Sequence, residues 1–118
     1  MVYLISMKKD NITFQDFIKL DFRVGEVVEA ALLEGSKKLI VMKVDLGDDY
    51  GIVEILSGLA PIYLPENLAG NKYIFLANLE PKNIMGKSSN GMMFVADDLE
   101  KFELIPLDKN LKNGTVIR

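Results

Sequence analysis

Apolar and polar positions alternate in short runs along this chain, and most runs end in glycine or paired acids. Ile40, Met42, Val44 and Leu46 fall on one side of a period-two pattern, with Lys43 and Asp45 on the other, which predicts a strand over Leu39–Leu46. Gly47-Asp48-Asp49 supplies turn chemistry, and Ile52–Leu56 returns as the second arm of a hairpin. Val24–Ala31, which contains Gly25, reads as the strand before it. Tyr73–Leu79 is apolar on both faces, the pattern of a buried central strand, and Met92–Ala96 is a fifth. Shorter strands are expected at Phe102–Ile105 and Thr115–Ile117. The core is expected to include Val28, Val44, Ile55, Ile74, Leu76 and Phe94.

Two short helices interrupt this pattern. Thr13 is placed to cap a helix whose apolar face would be Phe14, Phe17 and Ile18, with Asp16 three residues after the cap. Pro65-Glu66-Asn67-Leu68-Ala69 opens with a proline suited to a first helical turn and stops at Gly70. Five strands with a short helix between the third and fourth is the order of an OB-fold barrel. The expected class is therefore all-β with short helices: one domain over residues 1–118, a five-stranded OB-fold barrel core over about 22–98, and N- and C-terminal extensions.

Composition removes several function classes. The chain of 118 residues is 49% hydrophobic, enough for one core, and it contains neither cysteine nor histidine. Disulfides, thiolate chemistry and the usual general base are absent with them, and Ser57 has no histidine to activate it. Asp48-Asp49 and Asp97-Asp98 lack the spacing of a calcium loop and read as turn carboxylates. No cofactor, metal or catalytic group is expected. Met1–Met7 lacks the preceding basic residues of a signal peptide, and no run approaches the ~18 apolar residues of a membrane span, so a cytoplasmic protein is expected.

The net charge of −3 is unusual for a nucleic-acid binder, but its distribution is uneven. Between positions 61 and 93 the lysines Lys72, Lys82 and Lys87 outnumber the acids Glu66 and Glu80. This stretch holds the most distinctive residues: Asn78-Leu79-Glu80-Pro81-Lys82, then Met85-Gly86-Lys87-Ser88-Ser89-Asn90-Gly91-Met92. Leu56-Ser57-Gly58-Leu59-Ala60-Pro61 and Tyr63-Leu64-Pro65-Glu66-Asn67-Leu68 precede it. In this order the motifs resemble the tRNA-binding domain of the methionyl-tRNA synthetase C-terminal (beta subunit) family. Its relatives include appendices of tyrosyl-tRNA synthetase and cytokine-like proteins, small free-standing tRNA-binding proteins and the CsaA-like branch.

The resemblance covers roughly Ile12 to Arg118, so the chain looks like that module standing alone. It implies a homodimer that binds tRNA by shape and assists an aminoacyl-tRNA synthetase without chemistry of its own. Lysines on such a face neutralise phosphates, and Arg23, Lys38, Lys43, Lys82 and Lys87 are the candidate bases. The tRNA contacts are expected to centre on Asn78, Lys82, Met85, Ser89 and Met92, flanked by Arg23 and Lys38. Asparagine and serine offer small polar groups to ribose or phosphate, and methionine an adaptable surface for a base. Met93 is expected in the core.

The chain departs from the family at two places. Relatives commonly carry His-Pro-Asn-Ala-Asp where this sequence has Leu33-Glu34-Gly35-Ser36-Lys37, keeping only Lys38-Leu39. Glu80 and Asn83 stand where relatives tend to have bases. Those losses, with the acidic charge and the methionine-bearing loop, favour the alternative of a CsaA-like peptide- or preprotein-binding chaperone. The dimer contacts are expected before Phe22 and after Leu99, where Tyr3, Leu4, Ile5, Phe102, Leu104, Ile105, Leu107, Val116 and Ile117 exceed what a small barrel covers.

Overall fold

The computed structural model describes residues 8–118, so Tyr3, Leu4 and Ile5 lie outside the described residues. Among the described residues, ten strands and two one-turn helices follow in chain order: α1 (Phe14–Phe17), β1 (Phe22–Leu32), β2 (Ile40–Asp45), β3 (Ile52–Ser57), α2 (Pro65–Leu68), β4 (Lys72–Leu76), β5 (Lys82–Ile84), β6 (Lys87–Ser89), β7 (Met92–Met93), β8 (Val95–Asp97), β9 (Phe102–Leu104) and β10 (Val116–Ile117). Thr13 caps α1 as its position predicts, its Oγ1 accepting the Asp16 N–H at 3.0 Å.

The sheet runs β3-β2-β1-β4-β7, and all pairings in it are antiparallel. β1 is the spine. Its first half pairs with β4 and its second half with β2, the two ladders overlapping at Glu26. The two ends of the sheet approach each other where the Asn90 N–H donates to the Glu54 carbonyl at 2.9 Å. The result is a nearly closed five-stranded barrel of OB-like form, with short helices at its margins, as the element order predicts.

Val27, Met42, Val44, Leu46, Ile55, Tyr73 and Phe75 fill the barrel, each at most 1% exposed. Gly25 makes room for this packing: a Cβ there would stand 2.6 Å from Phe75 Cδ1 and 2.8 Å from Val44 Cγ1. Val44 and Ile55 are buried as expected. Val28 is not, because the β1–β2 register shifts between Val27 and Glu29 and turns its side chain outward. In β4 the phase is the reverse of the expected one. Tyr73 and Phe75 point inward, while Ile74 and Leu76 are half-buried on the opposite face. A strand apolar on both sides carries no phase of its own, and the space above Gly25 selects the larger rings.

The predicted strand Met92–Ala96 is two strands serving different sheets: β7 pairs with β4, and β8 pairs with β9. Phe94, at the break, is half-buried and packs edge-on against Phe22 with centroids 5.3 Å apart, while Met93 enters the core. Phe102 and Leu104 lie against the barrel core, and the Leu107 N–H donates to the Lys72 carbonyl at 2.8 Å. Beyond them β10 pairs with Phe22 and Arg23.

Candidate nucleic-acid interface

One outer face of the barrel is open. β1, β2 and β3 form its floor, the start of β6 one wall and the end of α2 another, enclosing a groove of about 480 Å³. Two loops border this region. The β5–β6 hairpin turns through Met85 and Gly86, a two-residue loop in which both φ angles are positive (50° and 83°), the conformation that matches strand twist. Asn83 Oδ1 accepts the Gly86 N–H at 3.1 Å and braces this turn. The Met85 methyl lies 3.8 Å from where a Cβ on Gly35 would be, so the hairpin tip meets the β1–β2 loop.

The candidate residues divide into exposed groups and structural ties. Lys82 is exposed on β5, opposite Ser89. Lys38 is exposed at the end of the β1–β2 loop, its stem lying over Gly58 at 3.7 Å from that residue's would-be Cβ. Met85 and Met92 are 59% and 52% exposed, so both thioethers are open to a ligand. Among the described residues neither Lys38 nor Lys82 forms an ion pair.

Ser89 and Asn78 are held by the protein itself. Ser89 is 6% exposed, and its Oγ accepts the Leu56 N–H at 3.0 Å across the barrel closure. Asn78 Oδ1 accepts the Asp21 N–H at 3.0 Å, and its Nδ2 donates to the Lys19 carbonyl at 2.7 Å. It thus fastens the end of β4 to the chain entering β1. Its exposed position leaves other edges of the amide open to solvent.

Arg23 is engaged more completely. Its Nε donates to Asp21 at 2.7 Å, and one Nη donates to Asp49 at 2.9 Å and to the Gly114 carbonyl at 3.1 Å. The guanidinium also lies 5.3 Å from the Tyr50 ring centroid. The hydrogen bond from Arg23, aided by one from Tyr50, holds the Asp21 carboxyl below the usual carboxylate range against an opposing effect of burial. The same carboxylates push the guanidinium pKa up, and the bond to Asp21 pushes the Tyr50 phenol up. The arginine side chain is only 13% exposed, which sets it apart from the open lysines.

The groove contains two of the candidate bases, Lys43 and Lys87, that lie outside the expected centre of tRNA contacts. Lys43 Nζ lies 3.2 Å from Glu29, and Lys87 Nζ lies 3.2 Å from Glu54. Strand alternation already placed Lys43 outward. Glu54 faces the same way because it is Lys43's partner in the β2–β3 register, a signal present in the hairpin spacing. Among the described residues, no group of three or more His, Cys, Asp or Glu side chains is arranged to hold a metal.

Residues 22–116 match a protein family described as "Putative tRNA binding domain". The chain belongs to this family. It is 41% identical over 111 residues to a methionine–tRNA ligase of Thermococcus kodakarensis, an alignment covering 94% of this chain and 15% of the ligase. The chain thus spans a small part of that relative. Among solved structures it is similar to a MetRS-related protein from Pyrococcus horikoshii (TM-score 0.87, 33% identity, 93% of this chain and 100% of the other). It is also similar to the chaperone CsaA from Bacillus anthracis (TM-score 0.80, 26% identity, 92% and 100%). The tRNA-binding family and its link to methionyl-tRNA synthetase are therefore those expected from the motifs. Among the described residues, no helix is long and apolar enough to cross a membrane.

Proposed function

We propose that this protein binds tRNA by shape rather than sequence, as a cytoplasmic accessory or beta-subunit-like partner of methionyl-tRNA synthetase. The observation that carries this reading is the pairing of the family match with two open lysines, Lys38 and Lys82, on the loops bordering one face. Contacts from lysines to phosphates fix position without reading bases, which suits a sequence-tolerant binder. Met85 and Met92 add adaptable apolar surface for an unstacked base. Asn78 contributes through the edges its structural bonds leave open, whereas Ser89 braces the barrel seam and Arg23 is tied to Asp21, Asp49 and the Gly114 carbonyl. The protein supplies binding and local concentration, and the chemistry belongs to the synthetase.

The active unit is a symmetric dimer. Phe14 on α1 and Ile18 just after it are 71% and 53% exposed, and Val116 on β10 is 46% exposed. A pocket of about 370 Å³ lies between these elements, lined by Phe17, Leu20, Phe22 and Ile117 together with the polar Asp21 and Asn78, so a second copy seated there would adjoin the Asn78 contact. Apolar surface of this kind favours a second copy.

A peptide-binding chaperone is the second reading, favoured by the alanine and valine floor of the groove and by the similarity to CsaA. Titration of unfractionated tRNA against the purified protein at two salt concentrations separates them. Binding that weakens steeply with salt supports the first reading. Absent tRNA binding together with salt-insensitive capture of an unfolded chain supports the second.

A further inference from the structure

The groove floor carries a row of alternating charges across four strands. Glu29 on β1 is the register partner of Lys43 on β2, and Lys43 is the register partner of Glu54 on β3. Glu54 then pairs with Lys87 on β6, its Oε1 and Oε2 at 3.2 and 3.4 Å from Nζ. The order is acid, base, acid, base, and its formal sum is zero. Every one of these side chains is partly exposed, from 34% for Glu54 to 69% for Glu29, so the row faces whatever enters the groove. Glu54 is also the best fixed of the two acids. Its carbonyl accepts both the N–H and the Nδ2 of Asn90, at 2.9 and 3.1 Å, which holds its backbone at the barrel closure.

We propose that Glu54 acts as an electrostatic brake on the groove, holding Lys87 and facing Lys43 across the β2–β3 register, and so weakening both lysines as phosphate contacts and limiting how tightly the protein holds tRNA. This rests on the tRNA-binding reading above. A phosphate reaching Lys43 or Lys87 meets a carboxylate already within contact distance of that lysine or opposite it in register. It must displace that carboxylate or bind beside it against like-charge repulsion. Either route removes part of the gain from each lysine, and Glu54 affects both because it stands between them. Glu29 faces Lys43 alone. An accessory that gathers tRNA for an enzyme must also release it, and a self-neutralised floor keeps contact weak while Lys38 and Lys82 at the rim make the first approach.

The test compares Glu54→Gln, Glu29→Gln and Glu100→Gln in the full chain, with unfractionated tRNA titrated at several salt concentrations. Glu100 lies on the exposed β8–β9 turn and controls for the one-unit change in net charge. Thermal unfolding of each variant checks that the fold is kept, and the glutamine is close enough in shape to preserve packing. The expected result is binding roughly three- to tenfold tighter for E54Q, a smaller gain for E29Q and none for E100Q. The dependence on salt should steepen by about one phosphate contact in E54Q. Adding Lys43→Ala and Lys87→Ala to E54Q should cancel the gain. Equal affinities for E54Q and E100Q overturn the proposal. So does an E54Q variant with unchanged tRNA binding but weaker capture of a basic peptide, which assigns the row to a polypeptide. If the unaltered protein shows no salt-dependent tRNA binding, the functional reading itself falls and takes this proposal with it.

Discussion

Ser89 Oγ accepts the Leu56 backbone N–H at 3.0 Å inside the seam where the first and last parts of the barrel meet. The hydroxyl thus pairs a buried backbone donor of β3 across that seam. Ser89→Ala leaves that buried donor unpaired and should cost roughly 1–3 kcal/mol of stability. Urea unfolding measures this. An unchanged midpoint would show that the seam does not depend on the hydroxyl, and weakened tRNA binding at full stability would return Ser89 to the contact surface.

Lys82→Ala should weaken tRNA binding by a similar factor for different tRNA species and lower the salt slope by roughly one. Affinities for two unrelated tRNAs, each at three salt concentrations, decide this. A loss confined to one species would argue for base reading at this position.

Phe14→Asp should convert the proposed dimer to a monomer, because a charge on a 71% exposed ring position costs the free chain little and a buried apolar contact much. Sedimentation at micromolar concentration reads the outcome. A variant that sediments as the parent does places the interface elsewhere or removes it.

The Asp21–Arg23–Tyr50 cluster gives stability a defined dependence on pH. The Asp21 carboxyl is depressed in the fold, so its contribution is present above the ordinary value of 3.8 and is lost as pH falls below it through the folded value. The Tyr50 phenol is raised, so its contribution is full below 10.0 and declines as pH climbs past that value through the folded one. Stability should therefore fall at both limits. Asp21→Asn should flatten the acid side in a series of urea midpoints against pH, and a parallel curve would exclude this cluster as the cause.

Gly25→Ala should destabilise the barrel by about 1–3 kcal/mol through overpacking, since the new methyl would enter space held by Phe75 and Val44. Thermal unfolding provides the measurement. Pairing it with Phe75→Leu should recover part of the loss, and absence of any recovery would place the strain elsewhere.

The barrel was legible where alternation was strict. Val44 and Ile55 lie in runs whose two faces differ, so their phase follows from sequence alone. Tyr73–Leu76 offers apolar groups on both sides, and only the empty space above Gly25 on another strand decides which rings enter. Val28 turned outward because of a register shift between two strands, an event that belongs to the pair and not to either sequence. The hairpin of Lys82–Ile84 and Lys87–Ser89 sat inside a segment that reads as loop, since its strands are three residues long and polar. The site divides in the same way. Exposure of Lys38, Lys82, Met85 and Met92 agrees with polar or glycine-rich surroundings. Arg23 is engaged by Asp49, 26 positions away, a pairing no local pattern announces.

β10 contributes only two residues to the sheet, yet it occupies the flank of Phe22 and Arg23 that β2 leaves uncovered. An uncovered flank on a long strand is a template on which another chain can add itself. The last few residues therefore serve as a guard for the barrel's spine. A protein cut before Thr115 would keep most of its core, but it would carry a sticky margin and tend toward open-ended self-association instead of a closed pair.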